Sequence, residues 1–117
     1  LIKIKKISKL THIMQREQII DNIKKIGADT LPPNSSLWLY GSQARKTANE
    51  FSDWDLLILL DKPKLVAADY DVIYPFREFG WDNGLEISPH LYTKTQWNSW
   101  TFLPFYKNVE HDKVILI

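Results

Sequence analysis

Cysteine is absent from the chain, which excludes a disulfide scaffold, a thiolate metal site and a cysteine nucleophile together. No apolar run approaches the roughly 20 residues that a membrane-spanning helix needs. The opening residues, Leu1-Ile2-Lys3-Ile4-Lys5-Lys6, are too interrupted by lysine to form a signal-peptide core. A cytoplasmic, membrane-free protein is therefore expected. No repeat, low-complexity tract or linker is visible. Histidine is sparse: His12, His90 and His111 are far apart and lack metal-ligand spacing, and His90, beside Pro89, reads as structural.

Residues 1–13 lack acid and hold Lys3, Lys5, Lys6 and Lys9. Without them 15 − 4 = 11 basic residues face 14 acidic ones, a net of −3. A broad basic face for duplex nucleic acid is not evident. Residues 1–13 read as a basic, poorly ordered extension. The only methionine is Met14, so a natural start there is one expectation. Residues 14–117 then read as a single domain. What the chain does have is apolar mass: 44% of its 117 residues are hydrophobic and 13% aromatic. That suits one core and argues against disorder.

Apolar spacing predicts a helix over 14–26, through Ile19, Ile20, Ile23 and Ile26, with Gly27 as its stop. Residues 36–40 read as a short buried strand ending at Gly41, and 43–46 as a short helix. The run 54–60 is the most apolar in the chain and reads as a central strand. Residues 69–79 look helical, with Val72, Ile73, Phe76 and Phe79 on one face and Pro75 kinking or dividing the segment. A turn over 80–84, a strand over 85–92, and a capping box in Thr93-Lys94-Thr95-Gln96 follow. Trp97 and Trp100 share a face. Pro104 opens a last helix, and 114–117 close as a strand. The order predicts an α/β (α+β) domain, a small mixed β-sheet with helices packed on it.

Two stretches carry chemistry. A glycine at the end of a strand lets backbone approach a ligand closely, and free amides at a helix start favour phosphate oxygens. Gly41 and Ser42 supply that arrangement, and Arg45 adds a bidentate cation. Taken alone, this is more often an ordinary strand-to-helix turn. Asp53 and Asp55 bracket Trp54 at the mouth of the apolar strand. Residues two apart on a strand share a face, so the two carboxylates project together and Trp54 points to the other side. Like charges so placed repel unless a cation intervenes, and hard oxygen ligands suit Mg²⁺. On these residues alone, a turn-capping Asp53 and a solvated Asp55 remain an alternative. Glu86 offers a third carboxylate if its strand neighbours the first. Otherwise it is a solvent-facing residue.

The run Gly41-Ser42-Gln43-Ala44-Arg45, followed by Ser52-Asp53-Trp54-Asp55-Leu56, resembles the signature of the DNA polymerase beta-like nucleotidyltransferase superfamily. It is most similar to the minimal nucleotidyltransferases of bacteria and archaea, with the likeness running from near Met14 to the C-terminus. One departure is Lys46, where those proteins often carry glycine. The resemblance implies a nucleotidyltransferase fold that moves a nucleoside monophosphate from an NTP, expected to be ATP, to an acceptor hydroxyl. It implies two Mg²⁺ ions, with Asp53, Asp55 and Glu86 as metal and catalytic residues and Gly41, Ser42 and Arg45 on the nucleotide. It also implies a small helical HEPN-type protein as a partner, in a toxin–antitoxin pair whose toxin receives AMP. A homo-oligomer is open. The rival reading is a non-catalytic nucleotide- or protein-binding module, an antitoxin acting by steric masking. For that reading Trp97, Trp100, Phe102, Phe105 and Tyr106 are either a partner surface or core.

Overall fold

The computed structural model describes residues 14–117. The expectation of a poorly ordered extension falls on residues 1–13, outside the described residues. Helix α1 spans Arg16–Thr30, strand β1 Ser36–Tyr40 and the one-turn helix α2 Gly41–Arg45. Strand β2, Trp54–Leu60, leads to a 3-10 helix over Ala67–Ile73 and helix α3 over Tyr74–Asn83. Strand β3, Ile87–Thr93, is followed by α4, Lys94–Asn98, α5, Pro104–Asp112, and β4, Val114–Ile115.

The four strands form one mixed sheet in the order β3-β2-β1-β4. β1 runs antiparallel to both β2 and β4, while β2 and β3 are parallel. A parallel pair needs a long crossover, and the 3-10 helix and α3 provide it. The expected α/β architecture is what the chain adopts.

Strand alternation divides the core. Leu37, Leu39, Trp54, Leu56, Ile58 and Leu60 face one side with Ile19 and Ile23 of α1 and Phe76 of α3. Trp38, Leu57 and Leu59 face the other, against Trp97 and Val109. Each such fully buried aliphatic side chain contributes about 1.5–3 kcal/mol relative to exposure. β2 is apolar on both faces because helices cover both. The aromatic run divides too: Trp97 is buried and Trp100 and Tyr106 pack on the second cluster, whereas Phe102 is 70% exposed.

Local chemistry sets most of the boundaries. Pro75 sits in the first turn of α3, where its missing N–H costs nothing, so the segment divides there. Thr93 Oγ1 accepts from the Gln96 N–H at 3.0 Å and Gln96 Oε1 from the Thr93 N–H at 2.9 Å, completing the expected capping box. Two expected helix ends are corrected. Gly27 does not stop α1, which continues to Thr30. A Cβ at Gly27 would lie 2.8 Å from both Ile117 Cδ1 and Leu37 Cδ2, so glycine there lets the helix close onto the sheet. The turn expected over 80–84 is helical to Asn83, and only Gly84 takes the left-handed conformation that ends α3.

Candidate active site

β1 enters α2 through Gly41, whose φ of 74° lies in the left-handed region that glycine adopts without steric cost. A second constraint acts on the same residue. Tyr40 and Asp55 are paired across β1 and β2, and a Cβ at position 41 would collide with the Asp55 carboxylate. The absent side chain is therefore what seats Asp55 against the backbone at Gly41.

Trp54 is buried in the first core cluster. Alternation then puts Asp53 and Asp55 together on the opposite face, at the mouth of β2, as expected. Burial pushes the Asp55 carboxyl above its ordinary value, the charge of Asp53 pushes it further, and His90 and Arg45 oppose both. Such a pair favours a cation between its members. The donor set, two hard carboxylates, fits a Mg²⁺-like ion, which is commonly held by one or two carboxylates plus substrate phosphates.

The expected third carboxylate is not assembled with them. Glu86 lies one residue before β3, exposed, and its backbone carbonyl accepts the Trp54 N–H at 2.8 Å. Among the described residues no group of three or more His, Asp or Glu is placed to hold a metal ion. The parallel register instead pairs Asp55 with Ser88, and Ser88 Oγ donates to Asp53 Oδ2 over a long 3.3 Å.

Arg45 makes a contact that the sequence did not predict. Its Nη1 donates to Asp112 Oδ2 of α5 at 2.8 Å, bracing α2 against α5. Hydrogen bonds from His111 and Arg45 hold the Asp112 carboxyl below its ordinary value.

Sequence reasoning missed three residues that the sheet brings to this face. His90 stands two residues after Ser88 on β3, its ring centroid 6.3 Å from that of Tyr40. Tyr40 also packs edge-on against Phe105 at 5.8 Å. Burial, then Asp55, then Tyr92 push the Tyr40 phenol far above its ordinary value. The available signal was the alternation of Glu86, Ser88 and His90, which puts all three on one face of β3. Which of them meets the acidic pair depends on register, and register is a property of the folded sheet.

Residues 16–116 match the family model described as "Nucleotidyltransferase domain". No curated protein matches the chain. A solved structure described as "Crystal structure of the toxin-antitoxin with AMP-PNP" is similar in fold, with a TM-score of 0.60 and 16% sequence identity over 84% of this chain and 72% of that one.

Proposed function

The chain belongs to the nucleotidyltransferase-domain family, and on that premise we propose that it moves a nucleoside monophosphate from ATP to an acceptor hydroxyl, releasing pyrophosphate. The observation that carries the reading is the seating of Asp55, beside Asp53, against the side-chain-free Gly41. A merely structural turn has no use for two like charges held together where burial opposes ionisation.

In this reading residues 14–117 form the transferase unit. Asp53 and Asp55 hold Mg²⁺, which supplies neutralisation of the triphosphate's charge when bound. Gly41 admits the phosphates close to backbone, and Ser42 donates its hydroxyl to a phosphate oxygen. Arg45 braces α2 through Asp112 and lends positive potential to Asp55. Tyr40, kept protonated, lines the face as a neutral group. The acceptor oxygen forms a bond to the α-phosphorus as the bond to pyrophosphate breaks, and the hydroxyl proton passes to solvent. Holding the reactants in line is the chief contribution of such a site.

The acceptor is proposed to be a tyrosine hydroxyl on a small helical HEPN-type partner in a toxin–antitoxin pair, in a cytoplasmic setting. A fold relative solved as a toxin–antitoxin with AMP-PNP supports that reading.

The test is calorimetric titration of ATP with and without Mg²⁺, followed by transfer of label from α-labelled ATP to a candidate HEPN-type partner from the native host. Wild type should bind ATP only with Mg²⁺ and label the partner, and Asp53→Asn/Asp55→Asn should do neither. Binding that ignores both metal and carboxylates would replace the transferase by the masking module.

A further inference from the structure

Phe51 and Phe102 stand singly in loops, 81% and 70% exposed, which is ordinary for a protein surface. α3 is different. Its Tyr74 and Trp81 are 54% and 61% exposed, and their rings pack edge-on with centroids 5.8 Å apart. They lie about two helical turns apart, so they share one face of α3, away from the buried Phe76 and Gly80. Among the described residues this is the one aromatic pair with both rings exposed. Each ring holds the other in place, so a partner that covers them immobilises little. Exposed acids accompany the pair: Asp71 before it, Glu78 between its members and Asp82 directly after, against Arg77 alone.

The direction of transfer gives this face a use. In the transferase reading the triphosphate lies at Gly41 and Ser42, where β1 ends, and its metal is held by the acids of β2. β3 lies on the other side of β2. In an in-line displacement the attacking oxygen enters opposite the leaving one. Pyrophosphate leaves toward β1, so the acceptor hydroxyl enters from the β3 side, where Glu86 and Ser88 border the acids. β3 is an edge strand, and no further strand blocks that approach. α3 ends at the same place. The Leu85 N–H donates to the Gly80 carbonyl at 2.8 Å. A Cβ at Gly80 would lie 2.7 Å from Cγ1 of Ile87, which is the Cα partner of Trp54 between the two acids. Trp81, the next residue, therefore stands at the end of the molecule where the acceptor enters.

We propose that the exposed Tyr74–Trp81 face of α3 is the docking surface for the protein that carries the acceptor hydroxyl, and that this protein meets it with an apolar stripe set among Lys and Arg side chains. This docking rests on the transferase reading above. Trp and Tyr are the residue types that most often anchor protein interfaces. The surrounding acids favour a basic partner, and they disfavour a second copy of the same face, which would bring like charges together.

Docking and chemistry are measured separately on the full chain, with the candidate HEPN-type partner from the native host as the probe. Calorimetry gives the Kd for the partner and for Mg²⁺–ATP, and α-labelled ATP reports transfer. Tyr74→Ser/Trp81→Ser should weaken partner binding roughly tenfold or more, raise the KM for the partner, and leave Mg²⁺–ATP binding at its wild-type value. Glu78→Lys/Asp82→Lys should weaken partner binding too, and wild-type binding should fall as salt rises. Unchanged partner binding in both double variants would overturn the proposal, while label that still depends on Asp53 and Asp55 would leave the transferase reading standing. A wild-type dimer in sedimentation that Tyr74→Ser/Trp81→Ser abolishes would give the face to a second copy and overturn the proposal as well. A partner that fails to bind wild type would also overturn it, and the Mg²⁺–ATP titration would then judge the transferase reading alone. A partner that binds through these residues but takes no label would uphold the docking surface and remove the transferase reading.

Discussion

Lys46 shows at the scale of one residue what the sequence departure costs. It caps α2 in the left-handed conformation, with φ 63°, a region that glycine adopts without steric cost. A non-glycine residue there pays roughly 1 kcal/mol in steric strain. Its backbone N–H still donates to the Ser42 carbonyl, so the cap is made in spite of the side chain. Lys46→Gly should stabilise the protein by about 0.5–1 kcal/mol. For a domain of this size that raises Tm by about 4–8 °C per kcal/mol, measurable by calorimetry. The same substitution leaves Asp53, Asp55 and Ser42 untouched.

Elements are joined on the aromatic face by a polar knot. The Trp97 indole of α4 donates to Glu110 Oε2 of α5 at 2.8 Å. Lys113, just after α5, donates to Glu110 Oε1 at 2.7 Å and lies 3.8 Å above the Trp38 ring of β1. Burial is the largest influence on Glu110 and pushes its carboxyl up, but the hydrogen bonds from Lys113 and Trp97 together outweigh it and hold the group below its ordinary value. A lowered carboxyl stabilises the fold fully above its unfolded value, and the contribution is lost as pH falls through the folded value. Glu110→Gln should therefore cost about 1–2 kcal/mol at pH 7 and flatten the acid limb of a Tm-against-pH curve. At this scale the sequence was informative where the signal is local. The capping box at Thr93 and the division at Pro75 follow from residues within one turn of each other. Gly27 and Gly80 misled because glycine reads as a stop unless the surface it must approach is known. For Gly27 that surface is Leu37 and Ile117, ten and ninety residues away. The acidic pair was legible from alternation alone, whereas the place of Ser88 and the engagement of Arg45 by Asp112 required tertiary register.

Across the whole molecule, stability and the candidate site oppose each other at Asp55. Its carboxyl is raised by burial and by Asp53, so its ionisation destabilises the folded chain. The stability associated with the protonated form is complete below the ordinary carboxyl value and is lost as pH rises through the raised folded value. Asp55→Asn should remove that decline, give the metal-free protein a higher Tm at pH 7 than wild type, and abolish Mg²⁺-dependent ATP binding. Melting curves with and without Mg²⁺–ATP would show the crossover. The contact between Gly41 and Asp55 has an evolutionary consequence as well. Any side chain at 41 meets the carboxylate, so the two positions mutate as a coupled pair. A substitution at 41 is accommodated only if the residue 55 side chain turns away or is shortened, and either change takes the acid from its seat. Once Asp55 has been lost, only the left-handed φ still constrains position 41, and asparagine or aspartate meets that demand. Descendants that keep the fold but abandon transfer should drift at 41 in the same lineages that have lost 55, leaving a paired record of retirement in the sequence.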